Sequence, residues 1–193
     1  MSSIPAARRL SQEAYFALEQ AEDQRYEYHA GEVYAMAGGS ESHALIASNM
    51  LTGLSNALRP KPCRVYGADM KLHISRHELF CYPDVQVLCE GGMRNEQYVE
   101  NPVLLVEVLS PSTESYDRGL KFERYRDIDA LRYYVLVDST RRHVELFERE
   151  SASSWRLTTP ADRLVLESLE AEIEIDEIYR QVDFGRNEEV KEP

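Results

Sequence analysis

The chain has 193 residues, of which 43% are hydrophobic and 29% charged, with a net charge of −12. That length supports one domain with a substantial core, and no composition break divides it. No run approaches the ~18 continuous apolar residues of a membrane span, and MSSIPAARRL carries two arginines with no apolar stretch behind them, so the expectation is a soluble, unexported, cytoplasmic protein with no membrane partner. At face value the acidity argues against nucleic acid. Its distribution is uneven, however: residues 161–193 hold eleven acids against four bases, whereas residues 117–142 hold seven bases against five acids. Cys63, Cys81 and Cys89 are odd in number and lack close metal-ligand spacing, which predicts reduced thiols and no zinc site.

In chain order, Ser11 caps a short helix over SQEAYFALEQA, and RYEYHAGEVYAM reads as a hairpin turning at Ala30 and Gly31. The clearest helix follows Ser40, with Leu45, Met50, Leu54 and Leu58 on one side until RPKP ends it. Strands are expected at about 63–74, 82–89 and 102–109, then a helix over 117–128, a strand at 132–138 and a hairpin partner in HVELFER. The 102–109 strand, the helix and the 132–138 strand form a βαβ crossover that makes the two strands parallel. The isoleucine-acid alternation of EAEIEIDEIY predicts a strand with one solvated face. The fold class is α/β, or α+β with a central mixed sheet flanked by helices, in a single domain spanning 1–193. Its core runs from about 11 to 180, and residues 183–193 read as a flexible acidic tail.

Two carboxylates interrupt this pattern. Strand parity puts Tyr82, Asp84 and Gln86 on one face of YPDVQVL, the polar one. In VLLVEVLS the residues sharing a face with Glu107 are Val103, Leu105 and Leu109, so Glu107 alone is polar there. Burying an ionised carboxylate is costly unless a cation or hydrogen bonds compensate it. If the two strands are neighbours, Asp84 and Glu107 converge on one divalent cation, and hard oxygen ligands suit magnesium. Asp117, Lys121 and Tyr125 stand at i, i+4 and i+8 and form one helical stripe. ADMKLHI contains a literal D-x-K in Asp69 and Lys71, but with His73 these alternate with Met70, Leu72 and Ile74 as in any half-exposed strand.

YPDVQV, LLVEVLSPSTESYDRGLKFERYR and RYYVLVD, preceded by YEYHAGEVYAMAGGSESHALI, resemble in their order the Uma-two family of restriction-endonuclease-like proteins, within the PD-(D/E)xK nuclease superfamily. The resemblance covers residues 11–150. It implies a restriction-endonuclease-like core and magnesium-dependent hydrolysis of DNA phosphodiester bonds, with manganese as a substitute ion. Asp84 and Glu107 are then the metal ligands. The superfamily lysine belongs two residues after the second acid, where this chain has Leu109, and the family pattern moves it to Lys121, which steadies the developing phosphate charge. Glu32, His43 and Tyr125 are second-tier site residues. A homodimer is expected by analogy with nucleases that cut duplexes. Two other readings stand beside this one: a degenerate nuclease fold that binds without cutting, and a hydrolase of RNA or a nucleotide.

Overall fold

The computed structural model describes residues 9–36 and 38–184, so most of the expected 183–193 tail lies outside the described residues. Ser11 caps α1 (Gln12–Glu22) by accepting from the Ala14 amide. The hairpin β1 (Tyr26–His29) and β2 (Glu32–Ala35) turns through Ala30 and Gly31, both at positive φ. Gly31 is the favourable choice there, because a left-handed backbone strains residues with a Cβ. Ser40 caps α2 (Glu41–Ala57), which buries Ile46, Met50 and Leu54.

The expected strand at 63–74 is instead two strands, β3 (Arg64–Gly67) and β4 (Lys71–Ile74), separated by a turn in which the Met70 amide donates to the Gly67 carbonyl. They belong to different sheets. After β5 (Leu79–Cys81), β6 (Val85–Leu88), β7 (Met93–Arg94) and β8 (Tyr98–Glu100) comes β9 (Leu104–Leu109). The helix over 114–125 starts three residues earlier than its sequence pattern implied, because Ser110 and Thr113 close its first turn. It comprises α3 (Glu114–Tyr116), a π-helical turn (Asp117–Lys121) and α4 (Phe122–Tyr125). The chain ends with β10 (Tyr133–Asp138), β11 (Val144–Arg149), β12 (Trp155–Thr158), β13 (Arg163–Leu166), β14 (Ala171–Glu174) and α5 (Ile175–Ile178). β14 alternates buried Ala171 and Ile173 with exposed Glu172 and Glu174, as its acid alternation implied, but the expected strand over EAEIEIDEIY is corrected in its second half, where Ile175–Ile178 wind into α5.

The result is a mixed α+β fold. One sheet runs β12-β11-β10-β9-β6-β3 and a second β2-β1-β5-β4-β8-β7. β9 and β10 are parallel, joined by the expected crossover through the 114–125 helix, while their neighbours β6 and β11 are antiparallel. Both faces of β9 are covered, which accounts for its nearly continuous apolar run. Leu104, Val106 and Val108 face α2, β13, β14 and α5. Leu105 and Leu109 face a layer closed by Leu72 and Leu79 of the second sheet and by Tyr125 of the helix. Val103, placed by parity on the Glu107 face, precedes the strand and packs into the first of these clusters. The Asp84 face of β6 is not solvated either: Tyr82 and Gln86 are buried, and the Gln86 amide donates to the Met70 carbonyl at 2.6 Å.

The cysteine expectation is corrected. Cys63 and Cys89 lie one step beyond the Arg64–Leu88 pair of β3 and β6, their Cα atoms 4.1 Å apart, and form a disulfide, while Cys81 is free and buried. At a sequence separation of 26, strand register brings the two together. Among the described residues no helix is long and apolar enough to cross a membrane. Alkylation of unfolded protein under non-reducing conditions should label one thiol, and three after reduction; three labels without reductant would refute the pairing.

Candidate active site between the two sheets

The register of β6 against β9 pairs Val85 with Val106 and Gln86 with Leu105. Continued by one step, this register sets Asp84, in the bend before β6, opposite Glu107. Asp84 is fixed by the Val108 amide, which donates to its Oδ2 at 2.7 Å. His43, in the capped first turn of α2, places Nε2 3.3 Å from the same oxygen. Its hydrogen bond to Asp84 raises the imidazole pKa, overcoming the opposing effect of burial.

Glu107 is 4% exposed. Its Oε1 accepts from the Tyr125 hydroxyl at 2.7 Å and lies 2.9 Å from Lys121 Nζ. The ammonium also lies 3.3 Å from Asp117 and 3.7 Å from Glu27, both buried. Burial pushes the Glu107 carboxyl up to about 8, although the lysine pulls it down. Burial alone would lower the lysine, but Glu107, Glu27 and Asp117 together hold it well above its usual range. Four carboxylates thus meet one ammonium and one imidazole, a local shortage of positive charge.

The π-helical turn explains how Asp117, Lys121 and Tyr125 all reach this layer. In a straight α-helix each step of four residues overshoots a full turn by about 40°, so the three would fan out over about 80°. A wider turn across Asp117–Lys121 absorbs the first overshoot. All three side chains are buried. At Leu109, where the superfamily pattern has lysine, a buried leucine packs against the helix, and the ammonium arrives from Lys121 instead.

Other sequence candidates fall elsewhere. Glu32 is exposed at the hairpin edge and accepts from the Tyr34 hydroxyl rather than joining Asp84 or Glu107. Asp69 sits in the turn before β4 and pairs with Arg25. Lys71 is buried against Glu19, its ammonium 4.3 Å from the Phe16 ring and 4.6 Å from that of Tyr15. His73 stacks on Phe80 and contacts Glu100. The D-x-K sequence therefore locks α1 onto the second sheet and supplies no lysine to the site. Conversely, Glu27 was missed. Between Tyr26 and Tyr28 it reads as the outward polar residue of a half-exposed strand, but the 114–125 helix covers that face as well.

Among the described residues, no three His, Cys, Asp or Glu side chains are grouped closely enough to hold a metal ion. A cation here would rest on the Asp84 and Glu107 carboxylates and complete its shell from backbone and water. That donor set fits magnesium, which is commonly held by one or two carboxylates. Replacing Tyr125 by Phe removes a buried donor and leaves Glu107 short of a partner, which should cost about 1–3 kcal/mol in urea unfolding; an unchanged midpoint would mean that Glu107 does not depend on that bond.

The chain is 37% identical over 179 residues to the uncharacterized protein slr1290 of Synechocystis, covering 91% of this chain and 94% of that protein. It is 30% identical over 161 residues to a second Synechocystis protein, sll1609, also uncharacterized, covering 82% and 91%. Among solved structures it resembles one described as a putative nuclease belonging to DUF820 from Anabaena variabilis, with a TM-score of 0.70 at 14% identity, covering 88% of this chain and 97% of the other. That likeness establishes a shared fold of the restriction-endonuclease-like kind. The model of the Uma2 family, described as "Putative restriction endonuclease", matches residues 12–177, and the chain belongs to that family.

Proposed function

We propose that this protein is a divalent-cation-dependent endonuclease that hydrolyses DNA phosphodiester bonds at the Asp84–Glu107–Lys121 site. The observation that carries the reading is the buried Glu107 carboxylate with a lysine ammonium 2.9 Å away, and the half-buried Asp84 set opposite it by the β6–β9 register. Structural ion pairs are seldom built with such an excess of buried acid, since each unpaired carboxylate is costly. Membership of the Uma2 family supports the same chemistry.

Asp84 and Glu107 hold the cation, magnesium or manganese. When bound, the ion supplies the Lewis acidity that activates water and offsets phosphate charge. The Val108 amide and Tyr125 hydroxyl fix the two carboxylates, so little reorganisation remains when substrate arrives. Lys121 directs its ammonium to the phosphate oxygens, where charge accumulates in the transition state. This role needs a cation near the phosphate and is indifferent to whether a strand or a helix carries it. His43 orients Asp84 from the opposite side.

A second reading, a nuclease fold that binds without cutting, draws support from one observation: Glu107 and Asp84 already have partners within the chain. Purified protein should nick supercoiled plasmid in magnesium or manganese and stop when EDTA is added. Glu107→Gln and Asp84→Asn should each lower the rate by at least roughly a hundredfold. Lys121→Ala should do so while leaving manganese binding by calorimetry largely intact. If the wild type cuts no plasmid with either ion, the binding reading replaces this one; if Lys121→Ala cuts at the wild-type rate, the lysine has no part in the chemistry.

A further inference from the structure

Glu27 lies on the second sheet, far in sequence from Glu107, Asp117 and Lys121, and is 6% exposed. The alternation of β1 explains its position. Tyr26 and Tyr28 point to α1, where they pack with Tyr15 and Phe80. Glu27 and His29 point the other way, to the 114–125 helix: Glu27 lies 3.7 Å from Lys121 Nζ, and Arg124 donates to His29 Nδ1 at 3.1 Å. The hairpin is therefore joined to the helix by two polar contacts at successive same-face positions.

The distances rank the partners of the lysine. Glu107 is nearest at 2.9 Å, Asp117 next at 3.3 Å and Glu27 third at 3.7 Å. A cation on Glu107 would draw that carboxylate's charge to itself and repel the ammonium. Asp117 sits one turn away on the same helix and moves with it, so it cannot fix the lysine relative to the sheets. Glu27 belongs to a different sheet and can, and the ammonium needs to shift less than about 1 Å to reach hydrogen-bonding distance of it.

We propose that Glu27 is a positioning residue, which retains the Lys121 ammonium beside the reaction centre when Glu107 is engaged by a cation. The inference rests on the endonuclease reading for its catalytic meaning, but the retention itself is measurable without turnover. The test compares the wild type with Glu27→Gln, which keeps the shape and removes the charge, and Glu27→Asp, which keeps the charge on a side chain one methylene shorter. With saturating manganese, reductive methylation followed by mass spectrometry of the Lys121 peptide should show the lysine protected in the wild type, modified faster in Glu27→Gln and intermediate in Glu27→Asp. Plasmid cleavage should fall roughly 10- to 100-fold in Glu27→Gln at unchanged KM for DNA, with part of the rate kept by Glu27→Asp and manganese affinity unchanged in both. A packing role predicts the reverse order, with Gln tolerated better than Asp. Equal Lys121 labelling in the wild type and Glu27→Gln, or Gln outperforming Asp in either assay, overturns the proposal. A wild type that fails to cut tells against the endonuclease reading alone and leaves the labelling comparison decisive for Glu27.

Discussion

The Lys121 ammonium is enclosed where two sheets and a helix meet, with Glu107 below it at 2.9 Å, Asp117 beside it at 3.3 Å and Glu27 across from it at 3.7 Å. Much of the architecture follows from keeping that charge satisfied out of water. An ammonium and a carboxylate each lose several kcal/mol of hydration on burial, and only close, well-oriented partners repay it. The ion pairs therefore specify more than they stabilise. They set the rotation of the helix on β9 through Lys121, and its distance from the second sheet through Glu27. The apolar side chains around them would tolerate many near-equivalent packings; a charge cluster that must be satisfied tolerates few.

The apolar framework suits this arrangement. Leu105, Leu109 and Leu136 on the same face as Glu107, with Leu72 and Cys81 opposite, form a dry layer into which Tyr125 and Tyr134 bring hydroxyls that find partners. Low polarisability there strengthens each remaining electrostatic contact. The other face of β9 is conventional core, filled by Ile46, Met50 and Leu54 of α2 and by the isoleucines of β14 and α5. One strand thus separates a core without buried charge from one that holds an ion cluster, and on the strand itself Glu107 marks the difference.

How much of this could be read from the sequence depended on whether the cause was local. The Ser11 and Ser40 caps, the turn at Ala30 and Gly31, the parallel β9–β10 crossover and the isolation of Glu107 all rest on periodicity or short-range chemistry, and the fold class followed from them. The stripe of Asp117, Lys121 and Tyr125 was visible as spacing, although the π-helical turn that aligns it was not, because no residue type there signals one. What escaped depended on neighbours distant in the chain. Glu27 drew no attention and Gln86 fell only on a polar face, because alternation reports which residues share a face, without reporting whether that face is later covered. Asp69 and Lys71 matched a catalytic pattern in letters, yet a turn separates them and a cage of aromatic rings takes the lysine. Cys63 and Cys89 met through the register of β3 and β6, which spacing alone does not reveal.

The wide turn at Asp117–Lys121 bears on how this chain can vary in length. At a surface loop an inserted or deleted residue is absorbed as slack. Within 117–121, five residues of the wide turn cover about the angle that four cover in ordinary winding, so one residue can be lost there with the helix returning to regular turns and the residues downstream keeping their facing. Tyr125 would still meet Glu107, and Arg124 would still meet His29. Length in this segment is therefore absorbed by angle, inside the helix, where the exposed turn at Glu90 and Gly91 absorbs it by slack.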